Sequence, residues 1–207
     1  MNANMRKGKL FIISGPSGTG KGTICKEIID IMPDVFVSVS MTTRNPRPGE
    51  VPDVSYHFVS KQDFEKTIDE DGFFEYANVH SNYYGTPKAP VMDQLENGND
   101  AILEIDVQGA LQVKEVYPEA IAIFILPPSM EELKNRIVGR GTETEETIKL
   151  RLKNAIGEIS CVNKYDYAVV NDQLDVAVEQ VVSVMKAEHV KVNDELLKSA
   201  QQYKEEM

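Results

Sequence analysis

Cysteine, basic charge and long apolar runs are all scarce in this chain, and each shortage narrows what it can be. The two cysteines among 207 residues, Cys25 and Cys161, lack the spacing of a metal-ligand set or a redox pair. Both read as ordinary helix residues of a reducing compartment. No apolar run approaches the roughly 20 residues of a membrane helix. Residues 1–9 hold no apolar h-region, so no secretory signal is expected. A cytoplasmic protein follows, with no membrane partner. Lysine and arginine number 22 against 33 acidic residues, a net charge of −11. That balance counts against a nucleic-acid polymer, whose phosphates need a basic face. A mononucleotide stays open, because a few local arginines can hold one. His57, His80 and His189 have no partner at catalytic spacing and read as structural. No internal repeat, low-complexity tract or long linker interrupts the chain.

What is present is a soluble, globular composition, 42% apolar and 27% charged, of a length that suits one α/β core with an inserted lobe. The most informative stretch is Gly15, Pro16, Ser17, Gly18, Thr19, Gly20, Lys21, Gly22 and Thr23, after the apolar run 10–13 and before a helical pattern over 22–31. Strand, glycine-rich turn and helix in that order, with Gly-x4-Gly-Lys spacing, form a phosphate-binding loop. Its N–H groups converge on an anion at a helix N-terminus, and Lys21 reaches the β- and γ-phosphates of a nucleoside triphosphate. Gly22 stands where Ser or Thr would place a hydroxyl on Mg²⁺. The ion is therefore expected to sit mainly on phosphates and water, with Thr23 and Asp106 as candidate side chains.

Further along, alternation predicts a strand over 34–41, then a proline-rich loop over 42–53 and a short strand at 56–59. Ser60 with Asp63 predicts a capped helix over 61–70. A strand over 73–79 leads to a polar, aromatic turn at 82–87. A helix over 88–97 ends at Gly98. From residue 101 the rhythm is strand and helix: 101–106, 107–116, 121–126, then a helix capped by Ser129 and ending near Val138. Gly139, Arg140 and Gly141 read as a hinge, and Thr142 as the cap of the next helix, with Ile148, Leu152, Ala155, Ile156 and Ile159 on its inner face. A last strand over 167–170 precedes one long helix from Asp172, with Leu174, Val178, Val181, Met185, Val192 and Leu196 inward. The expected architecture is α/β: a three-layer phosphate-loop core with a parallel sheet (1–34 and 91–207), a small β-rich lobe (35–90) and a mobile lid near 139–150.

Arg44 and Arg47, three apart in a proline-stiffened loop, can fork a single phosphate. Glu104 and Asp106 end a strand at the carboxyl edge, where open α/β sheets bind ligands. Taken in order, the chain resembles the guanylate kinases, nucleoside-monophosphate kinases of the phosphate-loop class. The motifs are the loop itself, Ser-x-Thr-Thr-Arg-x-Pro-Arg-x-Gly-Glu at 40–50, Phe-x-Glu-Tyr-Ala at 73–77 and Asn-Tyr-Tyr-Gly-Thr at 82–86. Ile-Asp-x-Gln-Gly-Ala at 105–110, Gly-Arg-Gly-Thr-Glu-Thr at 139–144 and Val-Val-Asn-Asp at 169–172 complete them.

That resemblance implies phosphorylation of GMP, and of dGMP, by ATP. It makes Arg44, Arg47, Tyr56 and Tyr84 ligands of the GMP phosphate, and Ser40, Glu75, Thr86 and Asp106 readers of guanine, with Glu104 beside them; Asp106 serves either guanine or hydrated Mg²⁺. It also makes Arg140 and Arg151 lid arginines on the transferring group, with Arg136 and Asn171 on the ATP side, Asn171 against adenine. The chemistry agrees for Glu75, since one carboxylate can accept both N1–H and N2–H₂ of guanine, whereas adenine would leave it desolvated and unpaired. The acceptor phosphate is already mostly dianionic at neutral pH, so catalysis needs no general base. It needs positioning and positive charge from Lys21, Arg47, Arg140, Arg151 and Mg²⁺.

Overall fold

Strand β1 (Leu10–Ser14) is buried along its whole length, which its near-continuous apolar run requires of a strand covered on both faces. In the computed structural model, which describes residues 7–79, 81–139, 144–192 and 194–205, β1 is the middle of a five-stranded parallel sheet. The order is β2 (Phe36–Val37), β7 (Ala101–Glu104), β1, β8 (Ile121–Leu126) and β9 (Tyr167–Val170). Alternation along β1 feeds two cores. Phe11 and Ile13 pack with Ile24 and Ile28 of α1 (Lys21–Ile31) and Val178 and Val181 of α7 (Leu174–His189). Leu10 and Ile12 pack with Val91 and Leu95 of α3 (Lys88–Glu96) and Val113 of α4 (Val107–Val116). Helices on both faces of a parallel sheet make the three layers the strand–helix alternation implies.

A second sheet, in the order β4 (His57–Phe58), β3 (Met41–Thr42), β6 (Asn82–Pro87) and β5 (Phe73–Val79), is mixed. Here the expected strand over 34–41 is corrected: it is two short strands in two different sheets. Ser38 N–H still donates to Ile102 of the first sheet, while the Ser40 carbonyl accepts from His57 of the second. Alternation survives such a crossing because both halves are extended, so it cannot reveal where the chain changes partners. The expected turn at 82–87 is also corrected. These residues form β6, paired antiparallel with β5, and the reversal lies before them, where Ser81 takes a left-handed φ of 67°. Asn, Gly and Pro suggested a turn there, but Tyr83 and Tyr84 find cross-strand partners in Asn78 and Ala77, which decides the matter for a strand.

Between β4 and β5, α2 (Lys61–Asp69) is capped as expected, with Ser60 Oγ accepting from Asp63 N–H. Helix α5 (Met130–Val138) is likewise capped by Ser129. It packs on α6 (Glu145–Ile159) through Leu133, Ile137, Ala155, Ile148 and Leu152. Ile156, expected on that inner face, is exposed, because the stripe facing α5 runs through Ala155. The cap of α6 is Thr144, whose Oγ1 accepts from Thr147 N–H; Thr142, Arg140 and Gly141 lie outside the described residues, as does His80. Cys25 is a buried residue of α1, whereas Cys161 lies in the turn after α6 rather than in a helix.

The expected single C-terminal helix is two. Helix α7 stops at His189, and α8 (Asp194–Glu205) begins a new register. Val192 and Leu196 are therefore exposed instead of inward. The inner stripe of α7 ends on buried Glu188, held by the Tyr167 hydroxyl and Lys191. His57 and His189 pair with Asp53 and Asp100.

Candidate active site

The phosphate loop joins the C-terminal end of β1 to α1 at the centre of the sheet. Two of its glycines are dictated by close approach. A Cβ on Gly15, at φ 138°, would lie 2.4 Å from the Ile125 carbonyl, and one on Gly20, at φ 92°, would lie 2.5 Å from Asn171 Nδ2. Thr19 is fully buried, and its hydroxyl donates to Pro16 O at 2.9 Å. Its side chain braces the loop, and the exposed hydroxyls of the 15–23 stretch are those of Ser17 and Thr23. Lys21 Nζ lies over the loop, donating to Gly15 O at 2.7 Å and Pro16 O at 3.2 Å. Burial lowers the Lys21 pKa, while Glu104, Glu158 and Asp106 oppose the shift and favour its charge.

Gly22 leaves space for an acid. A Cβ there would come within 3.3 Å of both Glu104 carboxylate oxygens. Glu104, at the end of β7, is raised in pKa by desolvation and restrained by Lys21. Asp106 caps α4, its Oδ1 accepting from Gly109 N–H at 2.8 Å. Among the described residues no group of three His, Cys, Asp or Glu side chains is placed to hold a metal ion.

A cleft of about 700 Å³ runs from this loop to the second sheet. It is lined by Lys21, Gly22 and Thr23 on one side, Ser40, Tyr56, Glu75 and Tyr84 on the other, with Glu104, Asp106 and Glu158 between. A β-bulge between Phe73 and Glu75 sets Glu75 opposite Thr86, and Thr86 Oγ1 donates to Glu75 Oε1 at 2.6 Å. Burial pushes the Glu75 carboxyl up to about 7, with Thr86 pulling it down and Asp106 adding repulsion. The other Glu75 oxygen packs where a Cβ on Gly109 would be, 3.1 Å away.

Arg44 and Arg47 meet through an acid rather than side by side. Arg44 forks Glu50 with two bonds of 2.6 Å, and the Arg47 backbone N–H donates to the same carboxylate at 2.8 Å. Arg44 Nε is buried with no hydrogen-bond partner among the described residues, and its guanidinium sits 5.0 Å from the Tyr56 ring centroid. The Arg44 fork holds the Glu50 carboxyl down at about 2. The Arg47 side chain is exposed.

On the other wall, Arg151 of α6 donates to Ser17 Oγ at 3.3 Å, which lays α6 across the loop. Arg136 is engaged by Glu132 Oε1 at 2.9 Å and by the Asn171 carbonyl at 3.0 Å. Asn171, at the end of β9, donates from Nδ2 to Thr19 O at 2.8 Å.

Three residues escaped the sequence reading. Glu158 lines the cleft; its spacing of seven from Arg151, two helical turns, was the available signal. Glu50 closed the 40–50 motif but was assigned no partner. Tyr165, whose hydroxyl donates to Ser14 at 3.0 Å beneath the loop, had no signal.

A phosphate loop on a parallel sheet, facing across one cleft a second sheet that presents a half-buried carboxylate and an arginine held by an acid, defines a nucleotide kinase of the phosphate-loop class. The guanylate kinase family model matches residues 7–188. A guanylate kinase of Clostridium tetani is 59% identical over 189 residues, covering 91% of this chain and 90% of the relative. One from Clostridioides difficile is 49% identical over 203 residues, covering 98% and 99%. The crystal structure of guanylate kinase from Anaplasma phagocytophilum superposes with a TM-score of 0.73 at 31% identity, over 90% of this chain and 89% of that one. The chain belongs to the guanylate kinase family.

Proposed function

We propose that this cleft moves the γ-phosphoryl group of ATP onto a phosphate oxygen of GMP, or of dGMP, by positioning and charge without a general base. Membership of a kinase family that phosphorylates GMP with ATP fixes the reaction class. The observation that carries the detailed reading is that one cleft joins the loop around Lys21 to the Glu75 and Thr86 pair. Residues 15–23 hold the triphosphate, with the Thr19 side chain acting only within the loop. Ser40, Glu75, Thr86 and Asp106 read guanine, and Glu104 stands between the two nucleotides. Arg44, Arg47, Tyr56 and Tyr84 hold the acceptor phosphate. Glu50 and the Asn45 carbonyl take three of the five Arg44 N–H donors, so Glu50 orients the guanidinium and a remaining N–H meets the anion.

Two anions repel as they approach, and Lys21, Arg140 and Arg151 supply the compensating charge, strongest where water is excluded. The oxygen donors present suit Mg²⁺: Thr23, Glu104 and Asp106 lie around Lys21, and Glu104 overhangs Gly22. Held by the nucleotide phosphates and water beside these residues, Mg²⁺ would supply positive charge against the transferring group. Residues 35–90 serve as the GMP lobe, 1–34 and 91–207 as the core, and 139–150 as the lid. The setting is cytoplasmic purine nucleotide recycling. No helix among the described residues is long and apolar enough to cross a membrane, and the acidic balance disfavours a nucleic-acid polymer.

A coupled assay with ATP and GMP, dGMP, AMP, CMP and UMP tests this. GMP should turn over fastest, dGMP more slowly, and the others not measurably. Comparable turnover of AMP would remove Glu75 as the base reader. GMP binding with no turnover would leave a ligand-binding module.

A further inference from the structure

The ATP-side assignment gives Asn171 to adenine, yet its side-chain nitrogen is bonded to the phosphate loop. Nδ2 donates to Thr19 O at 2.8 Å, and the contact is so close that any Cβ on Gly20 would lie 2.5 Å from the same nitrogen. Asn171 itself is 5% exposed and Thr19 fully buried, so the bond lies away from competing water. The Asn171 backbone is fixed as well. Its N–H donates to the Leu126 carbonyl of β8, and its carbonyl accepts from Arg136, which Glu132 holds from the preceding turn of α5. Thr19 Oγ1 in turn donates to Pro16 O across the loop.

We infer that Asn171 is a positioning residue for the triphosphate: it forms a strut that ties the carbonyl side of the phosphate loop to β9 and, through Arg136, to α5. A loop that binds an anion must present its N–H groups inward, so its carbonyls must be held outward by something else. Asn171 holds the Thr19 carbonyl, one residue before the last glycine of the motif. Without that bond a buried acceptor is left unpaired, and the Thr19–Gly20 peptide is free to rotate its N–H away from the phosphates. The inference rests on the phosphate-loop reading and adds to it a residue that acts through the loop rather than on the base.

Inorganic tripolyphosphate separates the two roles, because it has phosphates and no adenine. Asn171→Leu removes the donor without adding charge. Titration calorimetry with tripolyphosphate, ATP and GMP is run on the full chain and the variant, with kcat and KM for both substrates. The strut requires that tripolyphosphate and ATP weaken by the same factor, about tenfold. It also requires that KM for ATP rise and kcat fall, while GMP affinity stays unchanged. Weakened ATP with unchanged tripolyphosphate would overturn the strut and leave the adenine contact. Loss of GMP affinity as well would mean general misfolding rather than positioning, and would also overturn it. If the leucine variant does not fold, Arg136→Lys serves in its place. It keeps the charge but loses the planar fork that spans Glu132 and the Asn171 carbonyl, and should weaken tripolyphosphate about threefold. No change there would overturn the strut. Failure of the unsubstituted chain to bind tripolyphosphate would instead remove the phosphate-loop reading on which it stands.

Discussion

The two ends of the cleft are built on opposite principles. The phosphate end grows from β1 in the middle of the five-stranded sheet, with β8 and the edge strand β9 to one side, and its polar atoms are satisfied by the chain itself: Thr19 by Pro16, Asn171 by Thr19, Lys21 by loop carbonyls. The base end hangs from a sheet whose first two strands are two residues long, and it carries displaced carboxyls, Glu75 up at about 7 and Glu50 down at about 2. Rigidity is placed where any triphosphate must be held. A desolvated carboxyl, that of Glu75, is placed where one base must be told from another, while Glu50 beside it is a carboxylate that Arg44 stabilises.

The largest expected effect breaks the phosphate end. Lys21→Met should lower kcat by roughly 10²–10³-fold, the scale of losing one preorganised charge donor, while calorimetry shows GMP binding almost unchanged. An equal loss of GMP affinity would mean that the two ends are not separable.

Next comes the strained carboxyl. Glu75 has a folded pKa above the usual carboxylate value of 4.5, so the folded chain binds more protons than the unfolded chain between that value and about 7. Stability must therefore fall as pH rises through this window and level off above it, a loss of about 3 kcal/mol at most. Glu75→Gln should be more stable than the parent at pH 8, by up to that amount, and equal to it near pH 4. GMP binding should drop sharply, because the amide turns a donor toward a guanine donor. Urea unfolding at the two pH values checks the first claim. A parent and variant with parallel pH curves would show that Glu75 is not strained.

The same contrast decides what could be read from the residues. Strands β5, β8 and β9 and helix α4 fall on their expected bounds: β8 is an apolar run buried almost end to end, and the others carry local apolar patterning between turn residues. The lobe was harder. Apart from the local β5–β6 hairpin, its strands are two residues long and held by distant partners, as Met41 is by Gly85, and pairing across 44 positions leaves no local trace. Among site residues, the loop and Glu75 were legible from chemistry and motif order. What was not legible is how side chains spend their bonds: Thr19 and Asn171 on the loop, Arg44 on Glu50. Hydrogen-bond partners far apart in the chain are set by packing, which spacing does not encode.

A third substitution sharpens the base end. Arg44→Met should weaken GMP by about 10- to 100-fold, the loss of a charge-assisted bond, and leave tripolyphosphate binding alone. Glu50→Gln tests whether Arg44 is oriented or merely paired. If Glu50 orients it, the glutamine variant weakens GMP too. If Glu50 only competes for it, the variant strengthens GMP.

The smallest expected effect isolates guanine reading from phosphate anchoring. GMP itself confuses the experiment, since its phosphate has a second pKa near 6 and titrates in the same range as Glu75. Guanosine removes that group and leaves only the base to be recognised. The ionised Glu75 carboxylate accepts from N1–H and N2–H₂, whereas the protonated form would set its own proton against one of them. Guanosine affinity should therefore rise with pH and flatten above about 7, where Glu75 is half ionised in the free protein. Between pH 6 and pH 8 the gain should be about tenfold. Glu75→Gln should show a weak, flat profile over the same range. A flat profile in the parent would mean that Glu75 is already ionised at pH 6, and its burial would then cost the fold nothing at neutral pH.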